Sequence, residues 1–406
     1  MTPRPERDKQ ALDQRSIEGL RTIEGLVWRD GPISRARLHA LTGIRPGTVS
    51  QLVRQLLDEG RLSEAGVVHT SGLGRKTALL ETNPGHGTIV GVEFDDECVT
   101  AGVLDLTPRI TRLVSEPAQI HGGKDGLLAQ LLSVTRRALR RTRAIGIGVA
   151  DPGLVDSRRG VTLTSSTIPG WTAIPLREIF EREFRLPVLV EARTRAKAVA
   201  EHRVETADAT SMIYIDYGAG IGAGLYVDGR LLYGQGSAAG EFGHTHLVMD
   251  GPVCACGSFG CLEAVAGLHA MEARVRRILA EGGRTEVLDA AAGDASRITG
   301  WMVFEAASRG DKVAANVVAE VGRYLGLGIA NLVNLFNPGV IVLDARLRPA
   351  GPELLDQIQA VVRRQALREA AAQVRIRWGE VAEGAGVLGV ARMVLEKHFG
   401  VAALAA

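Results

Sequence analysis

A short stretch near residue 250 constrains the fold more than any other part of the chain. Three of the four cysteines, Cys254, Cys256 and Cys261, fall within eight residues, and His244 stands ten positions before the first of them. Three thiols and one imidazole match the closed tetrahedral shell that a structural zinc ion takes. The acids Glu241 and Glu263 flank this set, which makes them candidates for a ligand pocket beside a fixed metal.

The glycines of the same stretch support a metal site. Gly257 and Gly260 would let the chain bend tightly enough for the three thiols to meet one ion. The alternatives are a disulfide between Cys254 and Cys261, or buried thiols unrelated to a metal. Clustered Cys and His at such spacings are typical of metal ligands in intracellular proteins. We therefore predict one structural Zn²⁺ per chain, held by residues 244–261, which we call the zinc knot.

Length and composition indicate a protein of two or three α/β domains. The 406 residues are 46% hydrophobic and include 49 glycines, which suits many tight turns between strands and helices. Four cysteines in a chain of this length exclude a disulfide scaffold. No apolar run reaches the roughly 20 residues that span a bilayer, and the polar residues 1–13 exclude a signal peptide. We therefore expect a cytoplasmic protein.

The first eighty residues predict a small helical domain after a disordered arm at residues 1–15. Ser16 can cap a first helix and Ser34 a second, shorter one. Gly43 stands in a tight turn, and Pro46 suits the first turn of a third helix. Two helices joined by such a turn form the helix-turn-helix pattern.

A wing and a positive charge complete this domain. Segments 61–64 and 67–70 predict wing strands, so residues 16–83 are predicted to be a winged helix-turn-helix domain. Residues 1–80 carry 13 Lys and Arg against 9 Asp and Glu. The basic stretch 31–57 holds four arginines and no acid, which is typical of a face that follows DNA phosphates.

The third helix is the predicted DNA-reading element, because in such motifs it lies in the major groove. The side chains on the predicted base-facing side are Arg45, Gly47, Thr48, Ser50, Gln51 and Arg54. Gly74, Arg75 and Lys76 follow the wing and form a basic arm suited to a narrow minor groove. The alternative is a three-helix protein-interaction module with an ordinary linker.

The remaining residues, 84–406, alternate strands and helices in two similar α/β halves with a cleft between them, where small ligands normally bind. At this point the chain resembles the ROK family of repressors, open reading frames and kinases, over essentially its whole length. The segments that carry the resemblance are 151–156 (DPGLVD), 168–171 (IPGW), 241–244 (EFGH), 254–263 (CACGSFGCLE) and 328–338 (GIANLVNLFNP).

The resemblance implies an α/β fold of two actin-like, hexokinase-type lobes, joined here to the winged helix-turn-helix domain of the family's repressors. It implies that His244, Cys254, Cys256 and Cys261 hold zinc. It also implies that Glu241, His244 and Glu263 contact sugar hydroxyls, and we expect Thr167 and Arg193 at the same effector site. The zinc would then position His244 toward the ligand.

Three departures from the family's kinases argue against phosphoryl transfer. The glycine-rich phosphate loop of those kinases is replaced by Glu93-Phe94-Asp95-Asp96. Their catalytic aspartate, the base in phosphoryl transfer, is replaced by Arg193, and arginine cannot act as a base. Their late Gly-Gly pair is replaced by Asp344-Ala345.

The effector is left open between three possibilities. Arg193 and Arg195 would favour a sugar phosphate or sugar acid, because guanidinium groups pair with such anions. A neutral sugar could be held by Glu241, His244 and Glu263. Alternatively, an arginine could close the pocket and leave no small effector.

The sequence thus predicts a cytoplasmic transcriptional regulator of carbohydrate-related genes, most simply a repressor. We expect it to bind double-stranded operator DNA as a homodimer or homotetramer and to sense a small sugar-related effector. One rival is an ATP-dependent sugar kinase with an added DNA-binding domain. The other is a scaffold that binds a partner protein through the winged domain.

Overall fold

The computed structural model describes residues 4–68, 77–203 and 210–401. A small N-terminal domain leads into two lobes, and each lobe is built on a five-stranded sheet.

Three helices and a three-stranded sheet form the N-terminal domain. The helices are α1 (Arg4–Asp30), α2 (Arg35–Thr42) and α3 (Pro46–Asp58). The strands β1 (Ile33–Ser34), β2 (Leu62–Val68) and β3 (Thr77–Thr82) lie in the order β1-β3-β2. Ser34 caps α2 by accepting the N–H of Arg37, and Gly43 ends this helix at a φ of 68°. The buried faces share one core that includes Ile23, Leu38, Val49, Val53, Leu56 and Leu80.

Helix α1 starts earlier than predicted. It begins at Arg4, so the disordered arm expected for residues 1–15 is wrong from Arg4 onward, and Ser16 lies inside the helix instead of capping it. The reason lies in composition, because residues 6–15 are mostly strong helix formers such as Glu, Arg, Lys, Gln and Ala.

The wing also differs from its prediction. Residues 62–64 and 67–68, expected in two separate strands, belong to the single strand β2, which pairs with β3. A bulge between Glu64 and Gly66 interrupts the register, and the positive φ of 132° at Gly66 accounts for the break seen in the sequence pattern.

The first lobe contains a mixed sheet in the order β10-β7-β4-β5-β6. Strands β10, β7 and β4 are parallel, and β5 and β6 are antiparallel to their neighbours. The strands of the first lobe are β4 (Thr88–Phe94), β5 (Cys98–Asp105), β6 (Ile110–Pro117), β7 (Ala144–Asp151), β8 (Leu154–Asp156), β9 (Val161–Thr164) and β10 (Val188–Ala192); β8 and β9 form a separate two-stranded sheet. Its helices are α4 (Gly123–Leu139) and α5 (Leu176–Phe184).

The second lobe contains a sheet in the order β13-β12-β11-β14-β15. Its strands are β11 (Met212–Tyr217), β12 (Ile221–Val227), β13 (Arg230–Leu231), β14 (Val340–Leu343) and β15 (Arg375–Trp378). Its helices are α7 (Leu262–Ala266), α8 (Leu268–Ala280), α9 (Glu286–Ala290), α10 (Gly300–Ser308), α11 (Lys312–Phe336), α12 (Pro352–Gln365) and α13 (Arg368–Gln373).

Two central helices join the lobes. Helix α6 (Arg193–His202) contacts β11 and β12 of the second lobe, and α14 (Ala385–His398) contacts β4 and β7 of the first. The two helices pack directly on each other. A Cβ atom at Gly389 would lie 1.7 Å from the carbonyl oxygen of Ala196, so this close crossing requires glycine.

Helix α11 is the one helix of the described ranges that is long and apolar enough to span a membrane by length and composition. More than half of its apolar window, 56%, is buried inside the second lobe. Residues such as Val321, Leu325 and Ile329 belong to the main core of that lobe. The helix is therefore a core element in this fold.

Trp28 fixes the N-terminal domain to the first lobe. Its indole N–H donates to the carbonyl oxygen of Leu106 at 2.7 Å. Its ring stacks on Phe399, which follows α14, with ring centroids 5.3 Å apart, and the Arg392 guanidinium lies over the same ring. Helix α1 thus reaches from the N-terminal domain to the end of the central helix pair.

Candidate functional site

The zinc knot brings its four predicted ligands together. Cys254 Sγ lies 3.6 Å from His244 Nδ1, Cys256 Sγ lies 3.8 Å from Cys261 Sγ, and all four ligand atoms lie within 4.8 Å of one another. A tetrahedral zinc with bonds of about 2.3 Å to sulfur would place neighbouring sulfur atoms about 3.8 Å apart. The donor set therefore fits a tetrahedral metal. All four cysteines are free thiols, which excludes the Cys254–Cys261 disulfide.

The backbone of the zinc knot depends on the two glycines that the sequence singled out. Gly257 has a φ of 87° and Gly260 a φ of 63°. A Cβ atom at Gly260 would lie 1.8 Å from the carbonyl oxygen of Val248, so the turn cannot accept a side chain there.

A cleft between the lobes lies beside the knot; about 650 Å³ of space there, part of it open to solvent, is free of protein atoms. All five side chains predicted for the effector site line it: Thr167, Arg193, Glu241, His244 and Glu263. The structure brings these residues together, and their contact with an effector stays a prediction.

One wall of the cleft, which we call the metal-side wall, consists of Glu241, His244 and Glu263. Nδ1 of His244 faces Cys254, and its Nε2 lies 3.9 Å from Glu241 Oε2. Glu263 Oε2 accepts the backbone N–H of Ile221 at 3.0 Å. Burial raises the pKa of Glu241, and the neighbouring His244 opposes this rise. A metal on Nδ1 would therefore leave the other ring nitrogen of His244 directed toward the cleft.

A buried carboxylate ties two of the sequence motifs together behind the cleft. Asp151 accepts the N–H of Gly153 at 2.7 Å, the hydroxyl of Thr162 at 2.6 Å and the indole N–H of Trp171 at 2.9 Å. Burial raises the pKa of Asp151, and these hydrogen bonds lower it. The motifs at 151–156 and 168–171 thus stabilise each other's turns, and Pro152 and Gly153 of the first motif line the cleft.

Arg193 lies on the opposite wall, where its guanidinium is buried and paired with two acids. Its Nη1 lies 2.7 Å from Asp95 Oδ2, and its Nε lies 3.1 Å from Asp216 Oδ2. Asp95 follows β4 of the first lobe, and Asp216 lies on β11 of the second. Arg193 therefore connects the two lobes across the base of the cleft.

Lys197 and Arg346 extend this arrangement. Lys197 Nζ lies 2.9 Å from Asp216 Oδ1, 3.1 Å from Asp344 Oδ2 and 3.7 Å from Glu93 Oε1. Arg346 lies 3.3 Å from Asp344, 3.5 Å from Asp216 and 3.6 Å from Asp95. We call the seven residues the ion-pair cluster: Glu93, Asp95, Arg193, Lys197, Asp216, Asp344 and Arg346.

Two acids of the ion-pair cluster, Asp216 and Asp95, have pKa values below their ordinary values. Burial by itself would raise the pKa of Asp216, but Arg193, Lys197 and Arg346 together hold it well below its ordinary value. Burial likewise acts to raise the pKa of Asp95, but the charge of Arg193 opposes this rise, and the net shift is downward. The cluster therefore consists of charged pairs that compensate each other.

Arg195, the second arginine considered for an anionic effector, is also fully engaged. Its Nε lies 2.7 Å from Glu191 Oε1, its Nη1 donates to the carbonyl oxygen of Ser237 at 2.9 Å, and only 2% of the residue is exposed. It holds the loop after β13 against the end of β10.

The cluster was missed by sequence reasoning, although its signal was visible. Asp95, Arg193 and Asp344 stand at the three positions where the sequence departs from the kinases. Taken one at a time, each departure indicates only the loss of a kinase motif residue. The structure places them in one network. At these three motif positions of one shared cleft, the sequence has two acids and one base. This pattern of opposite charges could have predicted that the three residues pair with each other.

The recognition helix α3 divides cleanly into two faces. Its buried residues are Val49, Leu52, Val53 and Leu56. The six residues predicted to read DNA are all exposed: Arg45, Gly47, Thr48, Ser50, Gln51 and Arg54. Arg45 and Arg54 form no ion pair with any residue that the structure describes, which leaves both charges available. The predicted arm residues Gly74, Arg75 and Lys76 lie outside the described residues.

Comparison with known proteins places the chain among sugar-related regulators. It is 28% identical to a xylose repressor of Caldicellulosiruptor bescii over 369 residues, which covers 89% of this chain and 92% of the repressor. It is 31% identical to the DNA-binding transcriptional dual regulator NagC of Escherichia coli over 358 residues, with 84% of each chain covered. The function predicted from the sequence agrees with these relatives.

Solved structures agree in fold. A ROK family transcriptional regulator, a homologue of the E. coli MLC protein, matches 95% of this chain and 96% of its own with a TM-score of 0.77 and 27% identity. A ROK family glucokinase from Streptomyces griseus, in complex with glucose and AMPPNP, matches 76% of this chain and 99% of its own with a TM-score of 0.70 and 28% identity. The predicted fold class is confirmed. The profile of the ROK family matches residues 91–397, and the chain belongs to that family.

Proposed function

We propose that the protein is a transcriptional repressor of carbohydrate-related genes that senses a small sugar-related effector in the inter-lobe cleft. The observation that carries the proposal is the exposed face of α3, with two unpaired arginines and Gln51, on a domain fixed to a two-lobed sensor. The repressors among its relatives support it. As a regulator of genes, it would act in the cytoplasm.

The proposed DNA contact follows from the geometry of α3. In winged helix-turn-helix domains the N-terminal part of the recognition helix meets base edges in the major groove. Arg45 and Arg54 are suited to guanine and Gln51 to adenine, while Thr48 and Ser50 can reach bases or phosphates. Each chain has one such helix, so a palindromic operator would be bound by a homodimer, or by a homotetramer built from two of them.

The ion-pair cluster argues against the kinase alternative. The residue that would accept the proton of a sugar hydroxyl is Arg193, which is always protonated and already paired with Asp95 and Asp216. Asp96, which forms no ion pair with a lysine or arginine of the described residues, would also repel nucleotide phosphates. We therefore propose that the cleft binds without phosphoryl transfer.

The proposed role of zinc is structural. His244, Cys254, Cys256 and Cys261 would hold one ion per chain in a closed shell with no free position for a reacting group. The metal would fix the ring of His244 so that its second nitrogen meets the effector beside Glu241 and Glu263. Gly74, Arg75 and Lys76 are proposed to contact the minor groove beside the wing.

The effector would act by favouring one arrangement of the two reading domains over another, since a ligand shifts an equilibrium only by binding one state better. The path available for this effect runs from the cleft through α6 to the adjacent α14 and then to Trp28. A change in the lobes would thereby alter the spacing of the two recognition helices.

The decisive experiment maps the DNA fragments that the protein retains from its own genome and measures retention on the strongest fragment. We expect Gln51→Ala and Arg54→Ala each to weaken specific binding by about tenfold or more, because a bidentate base contact contributes about 1–3 kcal/mol. Arg363→Ala, which removes an exposed charge from α12, is the matched control and should leave binding unchanged.

Three outcomes would contradict the proposal. Failure to retain any DNA at low salt would favour the protein scaffold. Equal losses in Arg54→Ala and the control would remove α3 from the interface. Hexose-dependent formation of ADP from ATP by the pure protein would establish the kinase alternative.

A further inference from the structure

The positively charged side chains around the cleft already form ion pairs within the protein. Arg193 pairs with two carboxylates, and Arg195 pairs with Glu191 and donates to backbone carbonyls. Lys197 and Arg346 each lie within 4 Å of carboxylates of the ion-pair cluster. A ligand anion that recruited any of these groups would leave buried carboxylates without their partners, which is strongly unfavourable.

Three carboxylates that line the cleft have no such partner. Asp96, Glu241 and Glu263 form no ion pair with a lysine or arginine among the described residues. His269, whose charge lowers the pKa of Asp96, is itself paired with Glu272 at 3.2 Å. Among the described residues, three acids that border the ligand space therefore have no lysine or arginine partner, whereas the cations around it are already paired.

Asp96 occupies the decisive position. It immediately follows Asp95 in the turn after β4, so it lies on the first lobe, and it lines the same cleft as the residues of the metal-side wall. It is half-buried, and burial together with the Asp95 carboxylate raises its pKa. The environment thus already disfavours negative charge at this point before any ligand enters.

We infer, resting on the proposed sensing function, that the cleft takes an uncharged or cationic polyhydroxylated effector and excludes phosphorylated and carboxylated sugars, with Asp96 setting this selectivity. Carboxylates accept hydrogen bonds from sugar hydroxyls and from an ammonium group, whereas they repel phosphate. The preference for an anionic effector that Arg193 and Arg195 suggested in the sequence is reversed by their engagement in the fold.

The test is calorimetric titration of the full-length, metal-loaded protein with three matched series of probes. Each series contains a hexose, its 2-amino-2-deoxy form and its 6-phosphate, in the gluco, galacto and manno configurations. For a hexose that binds, we expect the amine to bind as tightly as or more tightly than the parent, and the 6-phosphate to bind at least about tenfold more weakly, or about 1.4 kcal/mol.

Asp96→Asn tests the assigned residue. The change keeps the size of the side chain and removes its charge, so we expect the ratio of hexose affinity to 6-phosphate affinity, both measured on the variant, to shrink by about tenfold. Asp356→Asn, an exposed acid on α12, is the control and should leave the gap as it is.

The outcomes separate this inference from the function on which it rests. A 6-phosphate that binds more tightly than its parent would overturn the inference and leave the DNA-binding sensor intact. An unchanged gap in Asp96→Asn would overturn the role of Asp96. Silence of all nine probes would overturn the sensing part of the proposed function together with this inference, while the DNA-retention result would stand separately.

Discussion

The two walls of the cleft contain similar side chains and use them in opposite ways. On the metal-side wall, Glu241 and His244 are partly exposed, with 48% and 26% of their side chains accessible, and they have few partners inside the protein. In the ion-pair cluster, Arg193 and Asp216 are 7% and 2% exposed and bind each other. Charge at a cleft is therefore available to a ligand only where the fold has not already neutralised it.

Under the proposed function, the two walls would serve different purposes. The metal-side wall lines the cleft with polar side chains, and the predicted zinc site lies beside it. The opposite wall uses its charged groups in internal pairs that join the lobes. One wall is predicted to govern ligand affinity and the other to govern stability, and this division can be tested.

The largest effect is expected when the support of the metal-side wall is removed. Cys256→Ser should abolish stoichiometric metal binding and unfold the region around 244–261, because structural zinc contributes about 10–16 kcal/mol in small zinc domains. Metal analysis and thermal unfolding measure the outcome. Cys98→Ser, a cysteine of β5 outside the zinc knot, is the matched control and should keep its metal. Full effector-responsive DNA binding by metal-free protein would show that this wall needs no metal.

The next effect concerns the opposite wall. Arg193→Met should lower the free energy of unfolding by about 3–5 kcal/mol, since it leaves Asp95 and Asp216 buried without their partner. Urea unfolding measures the change, and the exposed Arg363→Ala should shift it by less than about 0.5 kcal/mol. A neutral result for Arg193→Met would mean that the cluster does not hold the lobes together.

Acid should weaken the same wall. The pKa of Asp216 is lower in the folded than in the unfolded protein, so its stabilising contribution is complete above about pH 4, the unfolded value, and disappears as the pH falls through the folded value. The free energy of unfolding should be higher for the wild type than for Asp216→Asn, by an amount that is constant from pH 5 to 8 and that shrinks in more acidic solution. A difference that grew on acidification would contradict the ionised state of this carboxylate.

The smallest effect on stability should come from the metal-side wall itself. Glu241→Gln should change the free energy of unfolding by no more than about 0.5 kcal/mol, because the side chain is half exposed and its nearest charged contact is at 3.9 Å. The same change should weaken effector binding by about tenfold, close to 1.4 kcal/mol, as measured by calorimetry. Strong destabilisation without loss of affinity would reverse the division between the two walls.

Local features were predictable from the sequence. The spacing of His244 and three cysteines fixes their meeting, because the intervening loop is short and contains glycine at the turns. The exposed face of α3 follows from the spacing of its apolar residues, which leaves the six polar positions on the other side. Both predictions depended on residues close together in the chain.

Contacts between distant segments were not predictable in the same way. Asp95, Arg193 and Asp344 come from three separate parts of the chain, so a motif comparison shows each as a loss and cannot show that they pair. Arg195 donates a hydrogen bond to the backbone carbonyl oxygen of Ser237. The identity of residue 237 could not predict this contact, because the acceptor belongs to the backbone. The early start of α1 was missed because a polar segment can be helical when its residues are strong helix formers.

Trp28 bears on how such regulators could be recombined. The DNA-reading domain is bound to the rest of the chain by a ring stack on Phe399 and a hydrogen bond to Leu106, in addition to its covalent connection. A chimera that exchanges N-terminal domains at residue 83 alone would separate the Trp28 indole from the residues of the lobes that contact it. Transplanting the receptor residues Leu106, Arg392 and Phe399 along with the domain would preserve the rigid attachment, so the natural module for exchange is discontinuous in sequence.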